Sequence, residues 1–464
     1  MAVPRLDQAA LDELRERMTG SVVLPDDAAY DEARHVFNAM VDKRPALIAS
    51  CTNAADVAAA VDFARATGMA VAIRSGGHGV AGTAIVQDGL VIDMTPMKWI
   101  DVDADARVAR VGAGVTWGEL DGATQRHGLA VTGGRVSSTG VAGLVLGSGS
   151  GWIERKLGFA CDNLLAVEAV TSDGRIVRAD EERHSDLLWA LKGGGGNFAA
   201  VTSFELRLHP VGPMVLGGML MHPPVDPKAL VQTFRDFMAT APDEVGGGLA
   251  MVTAPHEDFV PEPARGKPML GVILCYAGPV EEGERVLAPI REYGPPAMDI
   301  VGPMPYTAVQ QLLDPMNQPG HNLYWKAEFL DELTDEAIDA ILPHGLNASS
   351  PMTATILQPL GGAVARVAEE STPLGRRDAA FAYHAMAQWA DDDHQRHIQW
   401  ARDLHAAMAP HTEPGVFLTY SSDLGEDRSR AAFGAEKFRR LTAIKDFYDP
   451  IDMFDSGAGI KPSA

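Results

Sequence analysis

Between residues 45 and 210, short apolar runs alternate with amphipathic stretches, and polar or glycine residues mark the boundaries between them. Residues 54–67 carry apolar side chains at helical spacing, with Asn53 able to cap the start and Gly68 the end. Strands are predicted at 70–73, 90–94, 165–171, 175–178 and 200–208, and a hairpin at 99–111. We therefore expect alternating helices and strands throughout this region.

The pattern changes after residue 210, where glycine becomes sparser and longer amphipathic stretches alternate with strand-like runs. Helices are predicted at 227–240, 281–293, 335–342, 394–408 and 435–447. Strands are predicted at 270–276, 323–330, 353–360 and 381–389. This succession is typical of an antiparallel sheet covered by helices, so the expected fold class is α+β.

Charge and cysteine content narrow the range of functions. The formal net charge of −23 argues against nucleic acid or an anionic membrane as a partner, because phosphate groups require a basic surface. The cysteines Cys51, Cys161 and Cys275 lack the spacing of a zinc site and give no disulfide framework. The first residues show no apolar core of a secretory signal, and no apolar run is long enough to span a bilayer. We expect a cytoplasmic protein.

Glycine is concentrated in four stretches of the first half, at 74–79, 112–114, 133–151 and 193–197. The first reads Arg-Ser-Gly-Gly-His-Gly and follows a predicted strand, so its backbone N–H groups can converge on a pyrophosphate. Several such stretches indicate main chain packed against one extended ligand, such as a dinucleotide. The spacing matches neither the GxGxxG of a Rossmann fold nor a GxxxxGK[ST] phosphate loop, and the GxSxG of serine hydrolases is also absent.

These segments resemble those of the vanillyl-alcohol-oxidase/p-cresol-methylhydroxylase flavoprotein superfamily, and within it the berberine-bridge-enzyme-like oxidases, especially bacterial members acting in secondary metabolism. The matching segments are 74–78, 112–117, 143–152, 158–163, 193–197 with 201–204, and Tyr-Asp-Pro at 448–450. The resemblance covers nearly the whole chain. It implies a split FAD-binding domain, formed by residues 1–210 and 415–464, with an inserted antiparallel-sheet substrate domain at 211–414.

The resemblance also implies how FAD is held. His78 matches the histidine that is bonded covalently to FAD, and Arg74 opens its loop with a charge that can help neutralise the phosphates. Relatives with a second link carry a cysteine where this chain has Val136, so a single link is expected; Cys161 is interpreted as a buried small residue. The residues assigned to the cofactor are Arg74, Ser75, Gly76, Gly77, His78, Gly79, Ser137, Ser138, Thr139, Gly140, Gly143, Leu144, Gly147, Gly151, Asn163 and Val201.

The catalytic residues are less easily transferred, because the sequence departs from its relatives. The family's Tyr-x-Asn segment, whose tyrosine acts as base, reads Phe-Leu-Thr-Tyr at 417–420, and its Asn-x-Asn is replaced by Gly-Ala-Gly at 457–459. A glutamate common on the central substrate strand is also missing. His384 and Tyr420 are the favoured candidates for base or substrate anchor, His384 because an imidazole titrates near neutral pH. Thr139 is the candidate for contact with the flavin or with oxygen.

The other polar residues of interest are either further candidates for the site or residues with a structural role. Tyr324 and Gln358 remain candidates on strands expected to face the flavin, whereas Lys326 is expected in a structural ion pair. His394 and His397 lie beside three aspartates, and we interpret them as a solvated helix start. No metal site is therefore expected.

The expected function is an FAD-dependent oxidase. It would transfer hydride from a hydrophobic hydroxylated or carbonyl-rich small molecule, such as a secondary metabolite, to covalently bound FAD, with O2 as electron acceptor. Loss of the usual base leaves a different class open, namely a non-redox cyclisation or rearrangement in which FAD is largely structural. A third class is a binding protein without catalysis, which would be colourless when purified. The sequence specifies no oligomeric state.

Overall fold

The structure is a computed structural model that describes residues 7–463 except 259, 414, 416 and 424. The strands, in chain order, are Ser21–Val23 (β1), Leu47–Ser50 (β2), Val71–Arg74 (β3), Leu90–Asp93 (β4), Ile100–Asp103 (β5), Val108–Gly112 (β6), Leu129–Ala130 (β7), Leu164–Val170 (β8), Ile176–Ala179 (β9), Ala200–Arg207 (β10), His209–Pro210 (β11), Met214–His222 (β12), Val245–Thr253 (β13), Pro268–Tyr276 (β14), Met298–Asp299 (β15), Gly302–Pro305 (β16), Asn322–Leu330 (β17), Ala354–Pro359 (β18) and Phe381–Trp389 (β19). The α-helices are Gln8–Arg17 (α1), Tyr30–Arg34 (α2), Ala54–Thr67 (α3), Trp117–Thr124 (α4), Val141–Leu146 (α5), Glu154–Leu157 (α6), Ser185–Leu191 (α7), Pro227–Thr240 (α8), Val280–Arg291 (α9), Tyr306–Gln310 (α10), Asp335–Gly345 (α11), Ala363–Arg366 (α12), His394–Met408 (α13), Glu426–Phe433 (α14) and Ala435–Tyr448 (α15). Within these described ranges, no helix is long and apolar enough to cross a membrane.

A small sheet in the order β1-β2-β4-β3 carries the first glycine loop. In it β2, β4 and β3 are parallel, and α3 connects β2 to β3. The predicted limits of α3 are confirmed: the side chain of Asn53 accepts the N–H of Asp56, and Gly68 ends the helix with a φ of 67°. Because β3 ends at Arg74, the glycine loop leaves the carboxyl end of a strand, where α/β sheets commonly bind ligands.

A second sheet follows in the order β5-β6-β10-β8-β9, and all its pairings are antiparallel. The hairpin predicted at 99–111 is confirmed by the pairing of β5 with β6. The two-residue strands β7 and β11 pair separately.

The region after residue 210 forms a large antiparallel sheet in the order β15-β12-β14-β13-β18-β19-β17, with β16 also paired to β12. Helices α8, α11 and α13 contribute to the core of this sheet. The mixed architecture and the antiparallel sheet confirm the predicted α+β fold class. Strands β12 and β13 were not predicted, because glycines at 217–218 and 246–248 interrupt their apolar pattern.

Alternate side chains of the large sheet point to opposite faces. On β19, Tyr383 and Ala385 lie in the core shared with the helices, whereas His384 between them lines a cavity on the other face. On β18, Leu357 lies in that core and Gln358 lines the cavity. The period of two along each strand therefore places His384 and Gln358 on the same open face.

The largest hydrophobic cores of the described residues divide the chain in a simple way. One core draws on residues 11–208 and again on 433–460, and the other draws on 216–408. The domain boundaries given by the resemblance stay predictions. Residue 414, the expected last residue of the substrate domain, and residues 1–6 lie outside the described residues.

The segment that follows α15 returns to the first core. Lys445 is fully buried, donates to the backbone oxygens of Asn197 and Phe454 at 2.9 and 2.7 Å, and pairs with Asp449 at 2.5 Å. The backbone N–H of Ser456 donates to Asn197 Oδ1 at 3.0 Å, although 259 positions separate the two residues. These contacts hold the glycine stretch at 193–197 against α15 and the segment that follows it.

Candidate active site

A cavity of about 830 Å³ lies between the glycine loops and the open face of the large sheet. This volume is typical of cofactor and small-molecule sites, which span roughly 300–1,000 Å³. The predicted cofactor residues that line it are Ser75, Gly76, Gly77, His78, Gly79, Thr139, Gly140, Gly143, Leu144, Gly147 and Val201. His384 and Tyr420 line the same cavity. The structure thus brings most of the predicted site residues together.

Two glycine loops of the site touch backbone to backbone. A Cβ on Gly76 would lie 2.4 Å from the backbone N of Gly140, and a Cβ on Gly140 would lie 2.6 Å from that of Gly76. Real Cβ contacts are never this short, and neither neighbour is a flexible side chain that could move away. Only glycine fits at both positions, so the two loops meet main chain to main chain at the wall of the cavity, and we call this contact the Gly76–Gly140 cradle.

Arg74 and Asn163 do not take the expected positions at the ligand. Arg74 is buried and forms an ion pair with Asp93, with Nη2 and Oδ2 2.7 Å apart, so it does not face the cavity to neutralise phosphates. The side-chain amide of Asn163 donates to the backbone oxygens of Leu157 and Phe159 at 3.0 Å. Both residues support the loops from behind the cavity wall.

Ser137 and Gly151 also lie behind the wall. The backbone N–H of Ser137 donates to Asp314 Oδ1 at 2.8 Å and its hydroxyl donates to Oδ2 at 2.5 Å, which ties this loop to the segment between α10 and β17. A Cβ on Gly151 would lie 2.1 Å from the backbone oxygen of Gly133. These residues shape the second glycine stretch.

His78 opens on the cavity, and its ring is fixed by three neighbours. Its ring stacks on Phe37 with centroids 4.0 Å apart, its Nε2 lies 3.0 Å from Ser138 Oγ, and its Nδ1 lies 3.5 Å from Thr139 Oγ1. Desolvation lowers the pKa of His78 to about 4. The imidazole is therefore neutral near pH 7 and keeps a nitrogen lone pair, as bond formation to a cofactor requires.

At the sheet side of the cavity, a chain of hydrogen bonds leads from Arg135 to His384. Arg135 Nη2 lies 3.1 Å from Glu154 Oε1, and the amide of Gln358 donates to the same oxygen at 2.7 Å. The other end of that amide, Gln358 Oε1, lies 2.7 Å from His384 Nε2. We call these four residues the Arg135–His384 relay. Its members come from a glycine loop, α6, β18 and β19.

His384 is buried within the site, with 2% of its surface exposed. Burial, with a smaller effect from the charge of Arg135, lowers the pKa of His384 to about 3. The expectation of an imidazole titrating near neutral pH is therefore wrong, and the ring is neutral over the physiological range. Its Nδ1 has no hydrogen-bond partner among the described residues.

Tyr420 lies beside His384, with ring centroids 4.6 Å apart in an edge-to-face arrangement. Its hydroxyl is 3.4 Å from Arg135 Nη1 and 3.4 Å from Ser150 Oγ, and its ring stacks on Trp325. The hydroxyl therefore faces a guanidinium charge at the same end of the cavity as the imidazole.

The remaining sequence candidates lie elsewhere. Lys326 forms the predicted ion pair, with Asp423 at 3.0 Å, and Tyr324 hydrogen-bonds the same carboxylate. His397 is not solvated as expected: it is fully buried, with Nδ1 2.8 Å from Ser349 Oγ and Nε2 3.2 Å from Asp391. Across the described part of the chain, no group of three or more His, Cys, Asp or Glu side chains could hold a metal ion.

Sequence reasoning missed Arg135 and Glu154. The carboxylate of Glu154 reaches the side-chain amide of Gln358 from α6. A buried carboxylate needs a compensating partner, so Glu154 just after the apolar pair at 152–153 was a signal. Its partner could not be read from the sequence, since 204 positions separate it from Gln358.

Comparison with known proteins indicates an FAD-binding domain. An FAD-binding-domain family matches residues 45–180. The chain is 28% identical over 462 residues to (R)-6-hydroxynicotine oxidase of Paenarthrobacter nicotinovorans, which covers 96% of this chain and 97% of that protein.

Solved structures extend the similarity. The crystal structure of 6-hydroxy-D-nicotine oxidase from Arthrobacter nicotinovorans matches with a TM-score of 0.86 at 27% identity, covering 96% of this chain and 98% of that one. A berberine-bridge-enzyme-like protein of Physcomitrella patens shares the fold, with a TM-score of 0.86 at 21% identity over 98% of this chain and all of its own. These similarities identify an FAD-linked oxidoreductase. The predicted resemblance to the vanillyl-alcohol-oxidase superfamily, and within it to the berberine-bridge-enzyme-like oxidases, is confirmed.

Proposed function

We propose that the protein is an FAD-linked oxidase acting on an apolar small molecule that carries a hydroxyl or carbonyl group, with O2 as electron acceptor. One observation carries this proposal: a single continuous cavity joins His78 and the Gly76–Gly140 cradle to His384 and Tyr420. When bound, FAD supplies the acceptor for a hydride from the substrate and passes the electrons to O2.

We propose a single covalent link to FAD, through His78. Its neutral ring, held by Ser138 and Phe37, supports this role. Val136 lines the cavity where relatives with a second link have cysteine. Cys161 is buried, which raises the pKa of its thiol well above the usual range and disfavours the thiolate needed for attachment.

The cavity wall supports an apolar substrate. Methionines are its most frequent side chains on the sheet side: Met219, Met221, Met298, Met316, Met352 and Met386 line it. Methionine side chains are flexible and apolar, so they fit a hydrophobic molecule but leave sugar hydroxyls without hydrogen bonds. The hydroxynicotine oxidases named above act, by their names, on a compact hydroxylated heterocycle, and we propose a substrate of similar chemical character.

Polar groups meet the substrate at one end of the cavity. His384 presents a neutral imidazole that can accept a hydrogen bond from a substrate hydroxyl, and Tyr420 presents its hydroxyl beside Arg135. Together they would orient the reacting group and take up its proton. Thr139 lies at the opposite wall beside His78, where its hydroxyl can contact the cofactor or oxygen.

We further propose that the two hydrophobic cores correspond to two domains. Residues 1–210 and 415–464 would form the FAD-binding domain, and 211–414 the substrate domain. The core shared by 11–208 and 433–460 supports this division, as does the separate core of 216–408.

Anaerobic mixing tests the proposed oxidation. The purified protein should be mixed with apolar alcohols, phenols and hydroxylated nitrogen heterocycles, and a true substrate should bleach the flavin absorbance. Admission of air should then restore the colour with uptake of O2. Conversion of a compound to an isomer without bleaching would contradict the oxidase and support the cyclisation or rearrangement described above.

A further inference from the structure

The Arg135–His384 relay can place a proton on only one nitrogen of His384. An ionised carboxylate only accepts hydrogen bonds, and Glu154 faces donors on both oxygens: Arg135 and Gln358 at Oε1, and the backbone N–H of Gly151 at Oε2, 2.8 Å away. Burial raises the pKa of Glu154, but the Arg135 charge and these hydrogen bonds oppose that effect. The arrangement is that of a carboxylate held by its donors.

The orientation of the Gln358 amide follows from this. Its NH2 group must face Glu154, so its oxygen faces His384. An oxygen accepts, so the hydrogen lies on His384 Nε2, and a neutral ring then carries its lone pair on Nδ1. The register of β18 and β19 makes the contact between Gln358 and His384 possible. Ile356 pairs directly with His384, so Gln358, two residues further along β18, is a diagonal neighbour of His384 on the same face.

The surroundings of His384 are consistent with an unprotonated Nδ1. Nδ1 is buried and finds no hydrogen-bond partner in the described part of the chain. The rings of Tyr420 and Phe417 lie next to the imidazole, and Arg135 is the nearby charge. A buried acceptor without a partner is costly, and His384 lines the cavity, so a donor on a bound ligand would satisfy this nitrogen.

We propose that Arg135, Glu154 and Gln358 are positioning residues that fix His384 with its proton on Nε2, so that Nδ1 accepts an O–H or N–H of the substrate. This inference rests on the proposed function and narrows its substrate class to compounds with a hydrogen-bond donor on the reacting carbon. When the C–O or C–N single bond of that carbon becomes a double bond, the carbon loses hydride to FAD and the heteroatom loses a proton. Nδ1 of His384 accepts the hydrogen bond of that proton before transfer and then takes up the proton.

Two variants test the relay. In Glu154→Gln, the oxygen of the new amide should still accept the backbone N–H of Gly151, so the NH2 group of this amide faces Gln358. The amide of Gln358 should then rotate so that its oxygen accepts from residue 154 and its NH2 group donates to His384 Nε2. The proton of His384 should therefore move to Nδ1. In Gln358→Met, of similar size, Nε2 loses its partner and the proton should distribute over both nitrogens. Gln388→Met is the matched control, since Gln388 lies on the same face of β19 but bonds to the backbone oxygen of Met316 and to His321.

The readout is nitrogen-15 NMR of the flavin-loaded enzyme labelled at histidine, with the His384 signals assigned by their loss in His384→Gln. We expect a protonated Nε2 and an unprotonated Nδ1 in the wild type and in Gln388→Met, and reversal in Glu154→Gln. Flavin reduction should slow by about 10²–10⁴-fold in Glu154→Gln, the usual contribution of general acid–base catalysis, because the imidazole then holds the wrong tautomer. A proton on Nδ1 in the wild type, or an unchanged tautomer in both relay variants, would overturn the relay. If the tautomers shift as expected but His384→Gln reduces flavin at the wild-type rate, the relay stands and the proposed role of His384 fails.

Discussion

Replacing Gly76 with alanine should weaken the binding of FAD. The new Cβ would lie 2.4 Å from the backbone N of Gly140 and 2.6 Å from its Cα, whereas ordinary contacts begin at 3.4 Å. The two loops would have to separate by about 1 Å, and overpacking of this kind costs about 1–3 kcal/mol. If that cost falls on the closed arrangement that holds the cofactor, the Kd for FAD rises by about 5- to 150-fold.

The measurement needs reversible binding, so it is made in a His78→Ala background by fluorescence titration with FAD. Gly122→Ala in the same background is the matched control, because Gly122 lies in α4, away from the residues that line the cavity, and a Cβ there meets nothing within 4 Å. The control should bind FAD like the parent. Equal dissociation constants for the Gly76 and Gly122 variants would refute the argument that this contact closes the cofactor site.

Other predictions concern attachment, catalysis and pH. Acid-denatured wild-type protein should retain its yellow colour in the pellet, His78→Ala should release FAD to the supernatant, and Cys161→Ser should behave as wild type; free flavin from the wild type would exclude a covalent link. His384→Gln should slow anaerobic flavin reduction by about 10²–10⁴-fold without loss of FAD, and a large effect in Tyr420→Phe alone would assign the role to Tyr420. Because the pKa of His384 is lowered from 6.5 to about 3, its neutral form persists as pH falls through the usual imidazole range. The reduction rate should therefore show no His384-dependent step near pH 6.5 and should decline only as pH approaches about 3; a step near 6.5 that disappears in His384→Gln would contradict this.

Local patterns were enough to predict much of the fold. The limits of α8, α13 and β19 agree with the predicted ranges, because their caps and periodic apolar positions are complete within the segment itself. Strand β13 was missed because its glycines are required by contacts with residues that are distant in sequence. A Cβ on Gly246, for example, would lie 1.7 Å from the backbone oxygen of Trp152. Such a requirement is invisible in the strand's own sequence.

The site residues could be predicted from the sequence only where they belong to one contiguous segment. His78 and the glycine cradle were predicted, since their motif is contiguous. The relay was not, because Glu154 lies 204 positions before Gln358, and only the folded sheet brings that amide next to His384. Arg74 was misjudged for a similar reason: the adjacent strand β4 supplies Asp93 as its partner, which removes its charge from the ligand.

The contact between Asn197 and the segment after α15 bears on how the protein is made. Phe454, Asp455 and Ser456 line the cavity, and Phe454 bridges to Val71 of β3 beside the first glycine loop. A ribosome therefore releases the His78 loop long before the residues that close the same cavity have been synthesised. The nascent chain would hold an open half-site, and stable capture of FAD would have to wait until residues 454–456 have been synthesised.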